Sequence, residues 1–256
     1  MRVLWTGIDP NTERYAFMLA VLEEINANLE RYKLDTPERQ AHFLGQMRQE
    51  TGPTLSVVEN LNFSIEALMR TFSVFNAVKD GVEVGRAVAE RIGRDDSVNP
   101  IRRANEEAIA NYAYADTWEH FEGFPEGGGR LYPLGNTERG DGSKYLGRGM
   151  KQLTGRYNYT AFNERYHRFW PDDPDTPNFI RNPDLLLQPL YATRSGVDFW
   201  LTRELYKIAD EGVNPDVINR VTNVVNPGEG RDDPRRGYRV AFVERIYERL
   251  TDQPQQ

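Results

Sequence analysis

Thr36-Pro37-Glu38-Arg39-Gln40-Ala41-His42-Phe43-Leu44-Gly45-Gln46-Met47-Arg48-Gln49-Glu50-Thr51-Gly52-Pro53 reads as one complete helix with both ends marked. Thr36 can cap the first turn, Pro37 suits the first helical position, and Glu38 complements the positive end of the helix dipole. Gly52-Pro53 stops it. Outward from there, Tyr15, Met18, Leu19, Leu22, Ile25 and Leu29 recur at helical spacing, which predicts an amphipathic helix over 11–31. The cap-then-proline signal returns at Asn182-Pro183 and Asn214-Pro215, ahead of helices expected over 185–205 and 216–225. Residues 102–115 form another helical stretch, and Val240, Phe242, Val243, Ile246, Tyr247 and Leu250 mark a last helix over 238–250. No segment shows period-2 alternation between hairpin signals. The expected fold is mainly α.

One region departs from this pattern. Between Phe121 and Gly149 lie nine glycines and few aliphatic residues. Long loops in compact domains are usually functional or disordered. This one runs into a polar block, Arg148-Gly149-Met150-Lys151-Gln152-Leu153-Thr154-Gly155-Arg156-Tyr157-Asn158-Tyr159, which favours a functional loop beside a cleft. Trp118 and Phe121 can pack beneath it, and the run Gly127-Gly128-Gly129 also suits a flexible linker.

The bulk numbers narrow the function. The 256 residues suit one sizeable domain or two closely joined lobes, with 39% hydrophobic and 28% charged residues. The absence of cysteine excludes disulfides and thiolate metal sites and fits a reducing cytosol. A net charge of −7 argues against nucleic acid as a partner, because phosphates demand a basic footprint, and disfavours a grip on anionic lipid. The apolar stretch at 16–22 is too short to span a bilayer and has acidic residues on both sides, so neither membrane insertion nor a signal peptide is expected.

Familiar catalytic motifs can be set aside. His42, His120 and His167 form no His-Glu-x-x-His pair, and Asp172, Asp173 and Asp175 lack a calcium-loop glycine. No metal or cofactor is expected. No serine stands in a nucleophile elbow, and no phosphate loop is present. Carboxylate chemistry remains. Glu50 shares a helix face with Phe43, Gln46 and Met47, an apolar setting that favours a protonated carboxyl, as does the negative pole of the helix dipole. A general acid needs that property. Glu59 follows a short extended segment, Val57-Val58, that can present it across a cleft from the helix end. Two carboxylates on opposite walls are what glycoside hydrolysis requires. Taken singly, each reads more readily as an ordinary glutamate than as a catalytic one: Glu50 as a solvated helix-end residue or salt-bridge partner, Glu59 as an exposed loop residue.

Together the segments resemble a known family. Residues 41–52, then Glu59-Asn60-Leu61-Asn62-Phe63-Ser64, are similar to the catalytic segments of family-19 glycoside hydrolases, which include plant-type chitinases and related phage endolysins and bacterial wall hydrolases. Gly135-Asn136-Thr137, Gly140-Asp141-Gly142, the block 145–159, Asn182-Pro183-Asp184-Leu185-Leu186, Phe199-Trp200 and 221–226 extend the resemblance in order over 36–240. The spacing is nearest the endolysin branch.

The resemblance implies a lysozyme-like, two-lobed helical fold with the glycine-rich loop beside the cleft, and an inverting mechanism. Glu50 would protonate the leaving glycosidic oxygen and Glu59 would deprotonate a water on the opposite sugar face, across a gap of roughly 6.5–9.5 Å. Thr154 matches a hydroxyl that helps hold that water. Asn158 matches the position that binds the acetamido group, and Gln152 and Asn226 match other cleft-lining positions. Arg148 suits either sugar contact or a structural ion pair. Among the aromatics, Trp200, Phe199 and Tyr191 read as core, whereas Tyr132 and Tyr145 have a claim to stack on sugar. The chain departs from the family at Gln49, where His is frequent, at Asn226-Pro227-Gly228, where Asn-Gly-Gly is usual, and over 81–104 and 116–130.

The expected organisation is an N-terminal helical segment, 1–35, packed on or docking to a catalytic domain, 36–250, with a disordered tail, 251–256. The expected activity is peptidoglycan hydrolysis of lysozyme type, between N-acetylmuramic acid and N-acetylglucosamine. Without a signal peptide, such a protein would be made in the cytoplasm and reach the wall as a phage endolysin or a secreted effector, with a delivery system or an immunity protein as partner. A chitinase with the same chemistry is the first alternative, which the acidic balance favours because chitin is uncharged and sacculi are anionic. A catalytically silent glycan-binding protein on the same fold is the second.

Overall fold

The computed structural model describes residues 5–252. Eleven α-helices build the described chain: α1 (Glu13–Ala27), α2 (Pro37–Thr51), α3 (Ile65–Thr71), α4 (Val84–Ile92), α5 (Glu106–Ala113), α6 (Asp141–Lys144), α7 (Arg156–Phe169), α8 (Pro189–Thr202), α9 (Leu205–Ala209), α10 (Pro215–Val225) and α11 (Pro234–Thr251). Extended pairing among the described residues is limited to isolated bridges, such as Val58 with Arg148. The fold is mainly α, as the apolar periodicity predicts.

Local chemistry explains where these helices begin. Thr36 Oγ1 accepts from the Arg39 amide, and Asn214 Oδ1 accepts from the Val217 amide, each ahead of a proline in the first turn. Asn182 makes no such cap. There Pro183–Leu187 forms a 3₁₀ turn, and the helix expected from 185 starts instead at Pro189.

The apolar side chains gather into two separate cores. The larger contains Phe43 and Met47 of α2, Phe162 and Tyr166 of α7, Trp200 of α8, Val221 of α10 and Val243 of α11. The smaller contains Leu68, Val88, Ile109 and Ala110, from α3, α4 and α5, with Phe75 and Phe124. Met18, Val21, Leu22 and Ile25 of α1 also enter the larger core, Glu24 pairs with Arg194 of α8 at 2.8 Å, and the Trp5 indole donates to Thr51 Oγ1 at 3.2 Å. At the other terminus Thr251 closes α11 and Asp252 caps it, while residues 253–256 of the expected tail lie outside the described residues.

One contact positions the site. A Cβ on Gly45 of α2 would lie 2.5 Å from Val243 Cγ2 and 3.1 Å from the Val243 backbone. Glycine therefore lets α11 cross α2 closely, which carries Arg239, one turn before Val243, to the end of α2. The triglycine run is likewise a packed segment. The Trp118 amide donates to the Gly128 carbonyl at 2.8 Å, and a Cβ on Gly128 would collide with the Trp118 ring at 2.1 Å.

Candidate active site

Gly52 ends α2 with φ at +66°, a left-handed conformation that glycine adopts without steric cost. The chain reverses, and residues 57–59 run as a short extended segment beside 147–149. The Glu59 amide donates to the Gly147 carbonyl at 3.0 Å, and the Gly149 amide donates to the Val57 carbonyl at 2.9 Å. Gln152 sits at φ +53°, an uncommon conformation for a side chain with Cβ, so a strained turn holds the 149–154 segment against this ladder. The result is an open cleft lined by Gln49, Glu50, Ser56, Val58, Glu59, Asn60, Gln152 and Thr154. Glu50, Glu59, Gln152 and Thr154 therefore share one cleft.

The two carboxylates stand in different surroundings. Glu59 is largely buried, and its Oε1 accepts a hydrogen bond from the Tyr114 hydroxyl, whereas its Oε2 has no partner among the described residues. Burial pushes the Glu59 carboxyl above its ordinary value of 4.5, with the Tyr114 hydrogen bond pulling the other way. Burial also pushes the Tyr114 hydroxyl up, reinforced by the Glu59 charge. A Cβ placed on Gly147 would lie 3.1 Å from each of Glu59 Oε2, Gln152 Oε1 and Thr154 Oγ1. Three side-chain oxygens thus converge on the space above the Gly147 backbone.

Glu50 differs from the apolar setting its helix face predicts. Its Oε1 accepts from Arg239 Nη2 at 2.6 Å, and its Oε2 pairs with Lys151 Nζ at 3.3 Å. Arg239 also reaches Glu229, at 2.7 and 3.0 Å, and the Gln46 side chain at 2.9 Å. Arg239 holds the Glu229 carboxyl below its usual range. The apolar stripe of α2 ends one turn before Glu50, and α11 and the 149–152 turn bring cations to the remaining space.

The other expected site residues fall in several places. Asn158 is exposed and donates to the Thr154 carbonyl at 2.8 Å, one turn from the cleft. Asn226 donates to Glu229 Oε1 at 3.1 Å, so it touches the Arg239 network and through it Glu50. Arg148 is buried, donates to the carbonyls of Lys144 and Leu146, and pairs with Asp184 at 2.8 Å, which is the structural one of its two expected roles. Tyr145 is fully buried against Tyr159 and donates to the Ile180 carbonyl at 3.3 Å, so its ring presents no face for a sugar. Tyr132 is 78% exposed. Trp200 and Tyr191 are core residues as expected.

Sequence reasoning does not single out Arg239, Glu229, Tyr114, Lys151 or Gly147. A signal exists for one of them. Arg239 falls four residues before Val243 and seven before Ile246, so an arginine occupies the buried face of an amphipathic helix. Arginine there requires a carboxylate partner.

No family model matches the chain. It is similar to a protein of Haemophilus influenzae named a glycosyl hydrolase family 19 domain-containing protein, with 28% identity over 224 residues, which cover 87% of this chain and 88% of that protein.

Proposed function

We propose that the protein is a glycoside hydrolase that cleaves the β-1,4 bond between N-acetylmuramic acid and N-acetylglucosamine in peptidoglycan, with inversion. The observation that carries this reading is the meeting of Glu50 and Glu59 in one cleft, from separate chain segments, with Gln152 and Thr154 lining the same cleft. The similarity to a glycosyl hydrolase family 19 domain-containing protein over most of both chains supports the same chemistry.

Glu50 is the acid that protonates the departing glycosidic oxygen, a role it takes once it carries a proton on Oε2 in place of the Lys151 contact. Glu59 is the base. Burial raises its proton affinity, which strengthens it as a base, and Oε2, without a partner among the described residues, is the oxygen placed to accept. A water above Gly147 would find acceptors in Glu59 Oε2 and Gln152 Oε1 and a hydroxyl in Thr154. Asn158 and Asn226 are proposed to bind sugar at either side. Chitin is the second substrate to weigh, because a net charge of −7 opposes approach to an anionic wall.

The test is mass spectrometry of borohydride-reduced fragments released from purified sacculi, with Glu50→Gln as control. Reduced N-acetylmuramic acid ends, released by the parent alone, are the expected result. Reduced N-acetylglucosamine ends would move the scissile bond. Absence of fragments from sacculi and from chitin oligomers, with binding retained, would leave a silent glycan-binding protein.

A further inference from the structure

Two cations hold Glu50, and they are not equivalent. Arg239 is 1% exposed, and its guanidinium is committed to Glu229, Gln46 and Glu50 at once. Among the described residues Lys151 has one carboxylate partner, Glu50, at the long distance of 3.3 Å, and its ammonium lies over the Phe199 ring at 4.8 Å. An ammonium carries three donors, and one contact with Glu50 does not exhaust them. Its four-carbon stem can also swing, whereas the backbone beneath is fixed by the Met150 amide donating to Ala192 at 3.1 Å and the Leu153 amide donating to Arg148 at 2.7 Å. Lys151 is therefore the cation that can change partner without disturbing the fold.

The charge of the cleft says what that partner is. Glu50 and Glu59 line it, and Arg239 is already balanced by Glu229. Lys151 is not part of that lining; it stands directly beside it, 3.3 Å from Glu50 Oε2 and with 16% of its side chain exposed, so a carboxylate entering past two glutamates finds its nearest compensation there. A neutral hydroxyl or acetamide taking the place of Glu50 would break an ion pair and return only a dipole. A carboxylate returns an ion pair.

We infer that Lys151 reads the charge of the substrate: on binding it passes from Glu50 to a carboxylate carried by the glycan beside the scissile bond. The protein consequently prefers acidic N-acetylated glycans to neutral ones. This rests on the hydrolase reading above. The carboxylate comes either from the lactyl group of the sugar or from an attached peptide.

Matched substrates separate these cases: peptide-stripped glycan strands, the same strands with their carboxylates amidated, and peptide-bearing strands. Each is assayed for kcat/KM with the parent, Lys151→Met and Lys151→Arg. The parent is expected to favour stripped strands over amidated ones by about tenfold or more. Lys151→Met should bring that ratio close to one, and Lys151→Arg should keep most of it. Because the ratio is internal to each variant, a general loss of activity or stability cancels. A preference confined to peptide-bearing strands, abolished by Lys151→Met, assigns the carboxylate to the peptide. Turnover by the parent with a ratio that Lys151→Met leaves unchanged, or with no preference at all, overturns this inference alone. A folded parent that cleaves none of the strands and no chitin oligomer overturns the hydrolase reading and this inference with it.

Discussion

Arg239 Nη2 lies 2.6 Å from Glu50 Oε1, joining residues 189 positions apart in the chain. The same guanidinium binds Glu229, so one buried cation serves two carboxylates. Such a network is stable only while every member is paired. Arg239→Met should cost about 3–5 kcal/mol, since it takes the principal cation from buried Glu229 and leaves Glu50 with Lys151 alone, and should abolish turnover. Arg239→Lys keeps the charge but not the planar fork and should recover only part of the loss. Urea unfolding midpoints measure the cost. A methionine variant as stable as the parent would mean that the network does not hold this end of α2.

The Tyr114 hydroxyl stabilises the ionised form of Glu59 by donating to Oε1. Tyr114→Phe removes that donor, and the Glu59 carboxyl then moves further up from its ordinary value. A general base works when ionised, so activity falls as pH drops through its pKa. The acidic limb of the kcat/KM profile should accordingly move to higher pH in the variant, with the alkaline limb in place. An unmoved acidic limb would separate Glu59 from the role of base.

The sequence reveals the helices and the carboxylates better than it reveals what surrounds the carboxylates. Thr36-Pro37 and Asn214-Pro215 are local signals, because a cap and its helix lie within one turn. α3 and α4 are missed because seven- and nine-residue helices give little periodicity to read, and α7 because its first turn falls within a polar block. Glu50 and Glu59 are nine residues apart and their relation passes through one visible glycine turn. Arg239 and Tyr114 reach them from elements 189 and 55 residues away, and no spacing rule encodes such contacts. The claim of Tyr145 as a sugar platform fails for a related reason: a tyrosine on a glycine-rich loop reads as exposed, yet this one is covered by Tyr159.

Gly147 offers a test that leaves every functional group in place. Its φ lies outside the left-handed region, so alanine fits the backbone. The added methyl would instead stand 3.1 Å from Glu59 Oε2, Gln152 Oε1 and Thr154 Oγ1, in the space assigned to the attacking water. Gly147→Ala should fold with stability within about 1 kcal/mol of the parent and lose about a hundredfold or more in kcat, the scale expected when reacting groups are displaced by an ångström. Circular dichroism and single-turnover kinetics separate the two effects. A variant with parental kcat would place the water elsewhere.

Glu59 should also cost the fold stability, with a sign that pH reveals. Its carboxyl has a raised pKa in the folded chain because burial penalises the charge. Below the ordinary value of 4.5, folded and unfolded chains both carry the proton and no penalty exists. As pH rises, the unfolded chain releases its proton first, so the folded state loses stability until the folded pKa is passed, and the deficit then stays constant. Glu59→Gln has no proton to lose. Its Oε1 can still accept from Tyr114, and its amide can donate to Gln152 Oε1 or Thr154 Oγ1, which converge on the same point. The glutamine variant should therefore match the parent in acid, gain on it as pH rises past the ordinary carboxylate range, and be the more stable but inactive protein at neutral pH, the trade-off expected of a strained catalytic group. Urea titrations of both proteins across about pH 4 to 8 trace the difference. Stabilities that run parallel over that range would mean that Glu59 ionises as readily inside the fold as outside it, and the burial that suits it to act as a base would have no energetic trace.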